Sequence, residues 1–104
     1  MSSTSETPVL DLLGAMTLES IEVSSLDPSE LMLVRIAALV AVDAPPVSYA
    51  TNLEAIASVG IDAERVRGVL AAVAPIVGTA RVVAATGNIV RALAVAIEVA
   101  ELDD

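Results

Sequence analysis

The chain has no cysteine, no histidine, no tryptophan and no phenylalanine among its 104 residues, and its five basic residues are all arginine. Each absence removes a class of chemistry. Without a thiol there is no disulfide exchange and no sulfenic acid to form or resolve. Without histidine there is no ordinary side chain titrating near neutrality, no Ser-His-Asp arrangement and no zinc site of the Cys/His kind. No metal and no cofactor are therefore expected. The amino terminus, Met1 to Thr7, lacks the basic and apolar regions of a secretory signal, so a cytoplasmic location is expected.

Basic charge is also scarce. Fourteen acidic residues against five arginines give a net charge of −9, which repels a phosphate backbone, and no nucleic-acid partner is expected. Long apolar runs are missing too. Val69–Val77 and Ile36–Val42 are among the longest, far short of the ~18 consecutive apolar residues that a membrane span requires, so no membrane partner is expected.

What the chain has is aliphatic side chain. Hydrophobic residues make up 56% of it and the mean hydropathy is +0.80. A single small domain buries only about two-thirds of its unfolded surface, so this content points to further burial between sister subunits. Residues 1–104 are read as one all-α domain, with 1–6 polar and frayed, that completes its core as a homo-oligomer.

Punctuation along the chain predicts about five helices. Thr7-Pro8 opens a short one through about Met16, with Val9, Leu12, Leu13 and Met16 on one face, and Thr17–Ser25 reads as a connection. Leu26-Asp27-Pro28-Ser29-Glu30 is a capping-box start for a helix to Val42 that is apolar on every side except Arg35. After Asp43-Ala44-Pro45-Pro46 a third helix is expected over Pro46–Ser58, with Tyr49, Leu53 and Ile56 on one face and Gly60 as its stop. Asp62 caps a fourth, with Val66, Val69, Leu70 and Val73 at i, i+3, i+4, i+7 and an interruption or kink at Pro75 and Gly78. The last runs from about Thr79 to Glu101, with Val82, Ile89, Val90, Leu93 and Ile97 as core. Its small Ala84, Ala85 and Gly87 mark a place where another helix can approach.

The order Leu26-Asp27-Pro28, then Leu33-Val34-Arg35-Ile36-Ala37-Ala38-Leu39-Val40-Ala41, Ala44-Pro45-Pro46, Ala55 to Gly60, and Ala74-Pro75-Ile76-Val77-Gly78-Thr79-Ala80-Arg81 resembles the carboxymuconolactone decarboxylase family, which includes alkyl hydroperoxidase D. The resemblance covers about residues 26–95. It implies an all-α fold of helical hairpins packed into trimers or hexamers. In the peroxidase branch of that family a Cys-x-x-Cys pair, a histidine and an upstream glutamate form a redox relay. Those positions correspond here to Pro45 and Ser48, Asn52, and Met32, and none retains the relay residue. A thiol peroxidase is thereby excluded, while the decarboxylase branch does not use the cysteine pair.

Few polar residues remain as candidates for a site. Arg35, alone in an apolar helix, either clamps a substrate carboxylate or pairs with an acid such as Glu54. Ser48 and Asn52, one turn apart, either line a small polar pocket with Arg35 or lie exposed. Tyr49, Asn52 and Glu54 are the catalytic candidates, Tyr49 otherwise being a packed ring with its hydroxyl at solvent or backbone. Arg81, Asn88 and Arg91 suit a subunit interface or an anion, and Met32 suits core filling. Two functions thus compete: a noncatalytic oligomeric binding or scaffold protein, and a cofactor-free lyase or isomerase acting on a small carboxylate or lactone.

Overall fold

Pro8, Pro28 and Pro46 each stand in the first turn of a helix, where a missing N–H costs nothing and a fixed φ favours the helical turn. The computed structural model describes residues 6–102, with side chains for 6–94. Six helical segments follow one another: α1 (Pro8–Val23), α2 (Pro28–Ala41), α3 (Pro46–Ala50), α4 (Leu53–Ser58), α5 (Ala63–Val77) and α6 (Thr79–Leu102). The described residues contain no strand, in keeping with an all-α chain. The expected fraying falls on the first residues, of which 1–5 lie outside what is described, as does the side chain of Ile97.

The six segments are the five expected helices with the third divided. The division falls at Thr51-Asn52, where two side chains compete for one backbone acceptor. The Thr51 hydroxyl donates to the Ser48 carbonyl at 2.9 Å, and the Asn52 amide donates to the same oxygen at 2.8 Å. The Asn52 N–H turns instead to the Tyr49 carbonyl at 3.0 Å, a tighter turn that ends α3 before α4 begins.

The opening helix is longer than its apolar stripe suggests. Thr17–Ser25 is not a connection, because α1 continues through it to Val23 and ends only where Ser24 turns extended. That stretch holds no glycine or proline to break a helix, and its lack of period belongs to a helix apolar on several sides. The capping box of α2 is complete: the Glu30 N–H donates to the Asp27 carboxylate at 2.8 Å, and the Asp27 N–H donates to Glu30 at 3.1 Å. Asp62 caps α5 by accepting from the Arg65 N–H at 3.0 Å. Pro75 does not stop α5, which runs on to Val77. The break comes at Gly78, whose φ of 90° with an extended ψ is a conformation for glycine alone.

The core has two lobes strung along α2, whose Met32, Ile36 and Val40 are buried at four-residue spacing. In the first lobe Met32 and Ile36 meet Ile56 and Ile61, with Val66 and Val69 of α5 packed against them. Met32 fills core space here. In the second, Val40 and Ala44 meet Tyr49, Ala85 and Ala92. The small side chains of α6 are what allow α3 to pack closely on it, and α2 in turn packs on α5. Val90 and Leu93, expected in the core, are instead 62% and 52% exposed. Ala85 and Ala92 take their place because a short helix carrying a tyrosine leaves no room for two larger aliphatic layers.

α1 stands apart from both lobes. It buries no residue and makes no substantial packing contact with any other helix. Nor is α2 enclosed on all sides within one chain, since Val34 is 54% exposed. No helix among the described residues is long and apolar enough to cross a membrane.

Candidate functional site

Arg35 is the starting point, being the single basic residue of α2. Its guanidinium reaches α1, donating to the Ser20 hydroxyl at 2.6 Å and to the Thr17 carbonyl at 3.4 Å. Glu54, the acid expected to pair with it, is exposed on α4 and lines a different depression. Arg35 is therefore a tether for α1. Thr17 and Ser20 escaped notice in the sequence because the stretch that carries them reads as a connection.

The expected meeting of Arg35 with Asn52 does occur. Both line an open groove of about 400 Å³ between α1, α2 and the start of α4, together with Leu13, Met16 and Leu39. Ser48 does not line this groove. Its carbonyl holds the Asn52 amide, so the nitrogen end of Asn52 is committed to its own backbone and its oxygen end remains for a ligand.

Tyr49 is sealed off from that groove. Its ring is only 2% exposed among Val40, Ala44, Ala85 and Ala92, and its hydroxyl is buried with no hydrogen-bond partner, reaching neither solvent nor backbone. Burial pushes its pKa above the ordinary 10.0, and the nearby Asp43 carboxylate pushes it in the same direction. A phenol held more firmly protonated than usual is a poor base at neutral pH.

No family model, curated protein or solved structure matches this chain.

On α6 Arg81, Asn88 and Arg91 each bond within the chain. Arg81 donates to the Ala41 carbonyl, Asn88 donates to the Ala44 carbonyl at 3.1 Å, and Arg91 donates to the Asn88 side-chain oxygen at 3.2 Å. Together they fasten α6 to the turn that follows α2. The Ala41 carbonyl would otherwise lack a donor, since a helix end leaves its last carbonyls unpaired, and the Ala44 carbonyl belongs to the turn itself.

A larger depression lies on the other side of α4. It is an apolar groove of about 690 Å³ between α4, α5 and α6, floored by Leu53, Ile56, Val66, Leu70 and Ile89 and edged by Glu54, Asp62, Arg67 and Thr86. Val90 and Leu93 face into it, which accounts for their exposure. Helical periodicity marks these residues as apolar but does not distinguish a face packed within the chain from one left open.

Proposed function

We propose that this chain is a carboxymuconolactone decarboxylase-like protein with a degenerate active site, working as a noncatalytic homo-oligomeric binding or scaffold protein, as a trimer or a hexamer of paired trimers. One observation carries the reading: the polar groups at the central candidate positions are already committed to holding the fold. Arg35 tethers α1, the Asn52 amide closes α3, and Tyr49 is buried as a structural ring. Catalysis by a lyase or isomerase needs a group that exchanges protons near neutrality, and the chain has neither histidine nor cysteine to serve.

Binding makes smaller demands. The groove shared by Arg35 and Asn52 offers the guanidinium N–H groups that Thr17 and Ser20 do not use, beside Leu13 and Met16, and such donors suit the acceptor oxygens of a small carboxylate or lactone. The test is light scattering coupled to size exclusion at micromolar concentration, followed by thermal melts with a panel of small carboxylates and lactones. An assembly of three or six chains with a ligand-dependent melting shift and no turnover is the expected result. A stable monomer overturns the oligomeric reading, and measurable decarboxylation or isomerisation overturns the noncatalytic one.

A further inference from the structure

Two properties of Arg35 meet in one groove. It is the one charged residue among those that line the space between α1, α2 and the start of α4, and it is the residue that reaches across to α1. Both hydrogen bonds it makes there leave from a single nitrogen. Nη2 donates to the Ser20 hydroxyl at 2.6 Å and to the Thr17 carbonyl at 3.4 Å, the second a long one. α1 has little else to lean on within the chain, since it buries no residue and packs substantially on no other helix.

A guanidinium offers a carboxylate two parallel N–H groups along either of two edges, Nη1 with Nη2 or Nε with Nη2, because Cδ blocks the edge between Nε and Nη1. Nη2 belongs to both. A carboxylate gripped at two points therefore needs an N–H of the nitrogen that α1 is using, and it competes with a full negative charge against a neutral hydroxyl and a neutral carbonyl. A lactone makes no such demand. Its carbonyl is neutral and is satisfied by one N–H, and Nη1 and Nε each have one that Thr17 and Ser20 leave unused.

We infer that a small carboxylate entering this groove takes Nη2 of Arg35 from α1 and so loosens the helix, whereas a lactone in the same place leaves it docked. This rests on the groove being the binding site proposed above, and adds that the state of α1 reports which of the two forms is bound. A lactone and the hydroxy acid it gives on hydrolysis then share one site with different consequences for one helix. No proton is exchanged by the chain, so the device is open to a protein without histidine or cysteine. Linkage makes the effect mutual: the factor by which a bound carboxylate weakens the docking of α1 is the factor by which docked α1 weakens carboxylate binding.

The test uses the full chain with γ-butyrolactone and 4-hydroxybutyrate, which share a carbon skeleton and differ in the ring-opened carboxylate. Amide hydrogen exchange is followed with each at saturation, beside sodium chloride at matched ionic strength, and dissociation constants are read from NMR shift titrations at millimolar ligand. With 4-hydroxybutyrate the amides of α1 are expected to exchange at least about fivefold faster, with those of α5 and α6 unchanged, and neither the lactone nor chloride should do the same. Ser20→Ala, a change at an exposed position, is expected to bind 4-hydroxybutyrate about threefold more tightly and the lactone as the parent does. Arg35→Met should lose the carboxylate site. If 4-hydroxybutyrate binds through Arg35 and α1 exchange stays as it was or slows, or if chloride or the lactone speeds it equally, the competition is wrong and the groove stands as a binding site. If 4-hydroxybutyrate does not bind, or binds Arg35→Met as well as the parent, both fall.

Discussion

At the scale of single residues, Tyr49 shows how a side chain can look functional in the sequence and be structural in the fold. As the only aromatic residue, next to a proline-rich turn, it stands out, yet its ring fills the lobe between α2, α3 and α6. Its orphan hydroxyl forgoes a hydrogen bond that water would supply in the unfolded chain, at a cost of about 1–3 kcal/mol. Tyr49→Phe is accordingly expected to stabilise the protein by about 1 kcal/mol in a denaturant titration. The same substitution changes the alkaline limb. The pKa of Tyr49 is raised by folding, so the stability linked to its protonated form is fully present below the unfolded value near 10 and is lost as pH climbs through the folded one. The parent should lose stability above pH ~10 more steeply than Tyr49→Phe, and parallel limbs would refute this.

Arg35 is the second case. That it needs a partner follows from its isolation in an apolar helix, but which partner depends on where α1 runs, and no local pattern encodes that. Since its bonds go to Ser20 and Thr17, Arg35→Met should release α1. Faster amide exchange across Pro8–Val23, with a global loss of only about 0.5–1.5 kcal/mol, is expected. Glu54→Gln should change neither, and a shared destabilisation would restore the ion pair between them.

At the scale of elements, starts and stops were legible because they rest on local chemistry. The Asp27 and Asp62 caps and the stop at Gly60 all stand where the residue types place them. What escaped were the end of α1 and the split between α3 and α4. The split depends on hydroxyl and amide groups that have other hydrogen-bond partners available in an unfolded chain, and the end of α1 lies beyond a stretch that holds neither a breaker nor a sustained apolar period. The ends of α2 and α4 share one device. The N–H of Ala44 donates back to Leu39 at 3.0 Å and that of Ile61 to Ile56 at 3.2 Å, each across a left-handed residue, Asp43 with φ 56° and Gly60 with φ 79°. The device is relaxed at Gly60 and strained at Asp43. Gly60→Ala should therefore cost about 1–2 kcal/mol, whereas Asp43→Gly should be neutral or stabilising by up to about 1 kcal/mol, both read from chemical denaturation. Equal losses at the two sites would mean that the backbone conformation is not what these residues supply.

At the scale of the whole molecule, the aliphatic excess seen in composition reappears as exposed surface on α1, α2 and the α4–α5–α6 groove, so the sequence signalled the existence of unpartnered faces without locating them. Location requires knowing that α1 leaves the body of the fold. Every copy carries a charge of −9, and bringing copies together works against that repulsion even where arginines meet acids locally. Added salt shortens the screening length from about 30 Å at 0.01 M to about 10 Å at 0.1 M, which removes repulsion between whole molecules while leaving close apolar contact intact. Self-association is therefore expected to tighten as salt rises over this range. The midpoint of thermal unfolding should also rise with protein concentration, because unfolding then consumes an assembly by mass action. Sedimentation velocity at the two salt concentrations and melts over a wide range of protein concentration measure both effects. Weaker association at the higher salt would show that the Arg–acid contacts outweigh net repulsion, and a midpoint independent of concentration would show that the exposed aliphatic faces are not buried by copies of this chain.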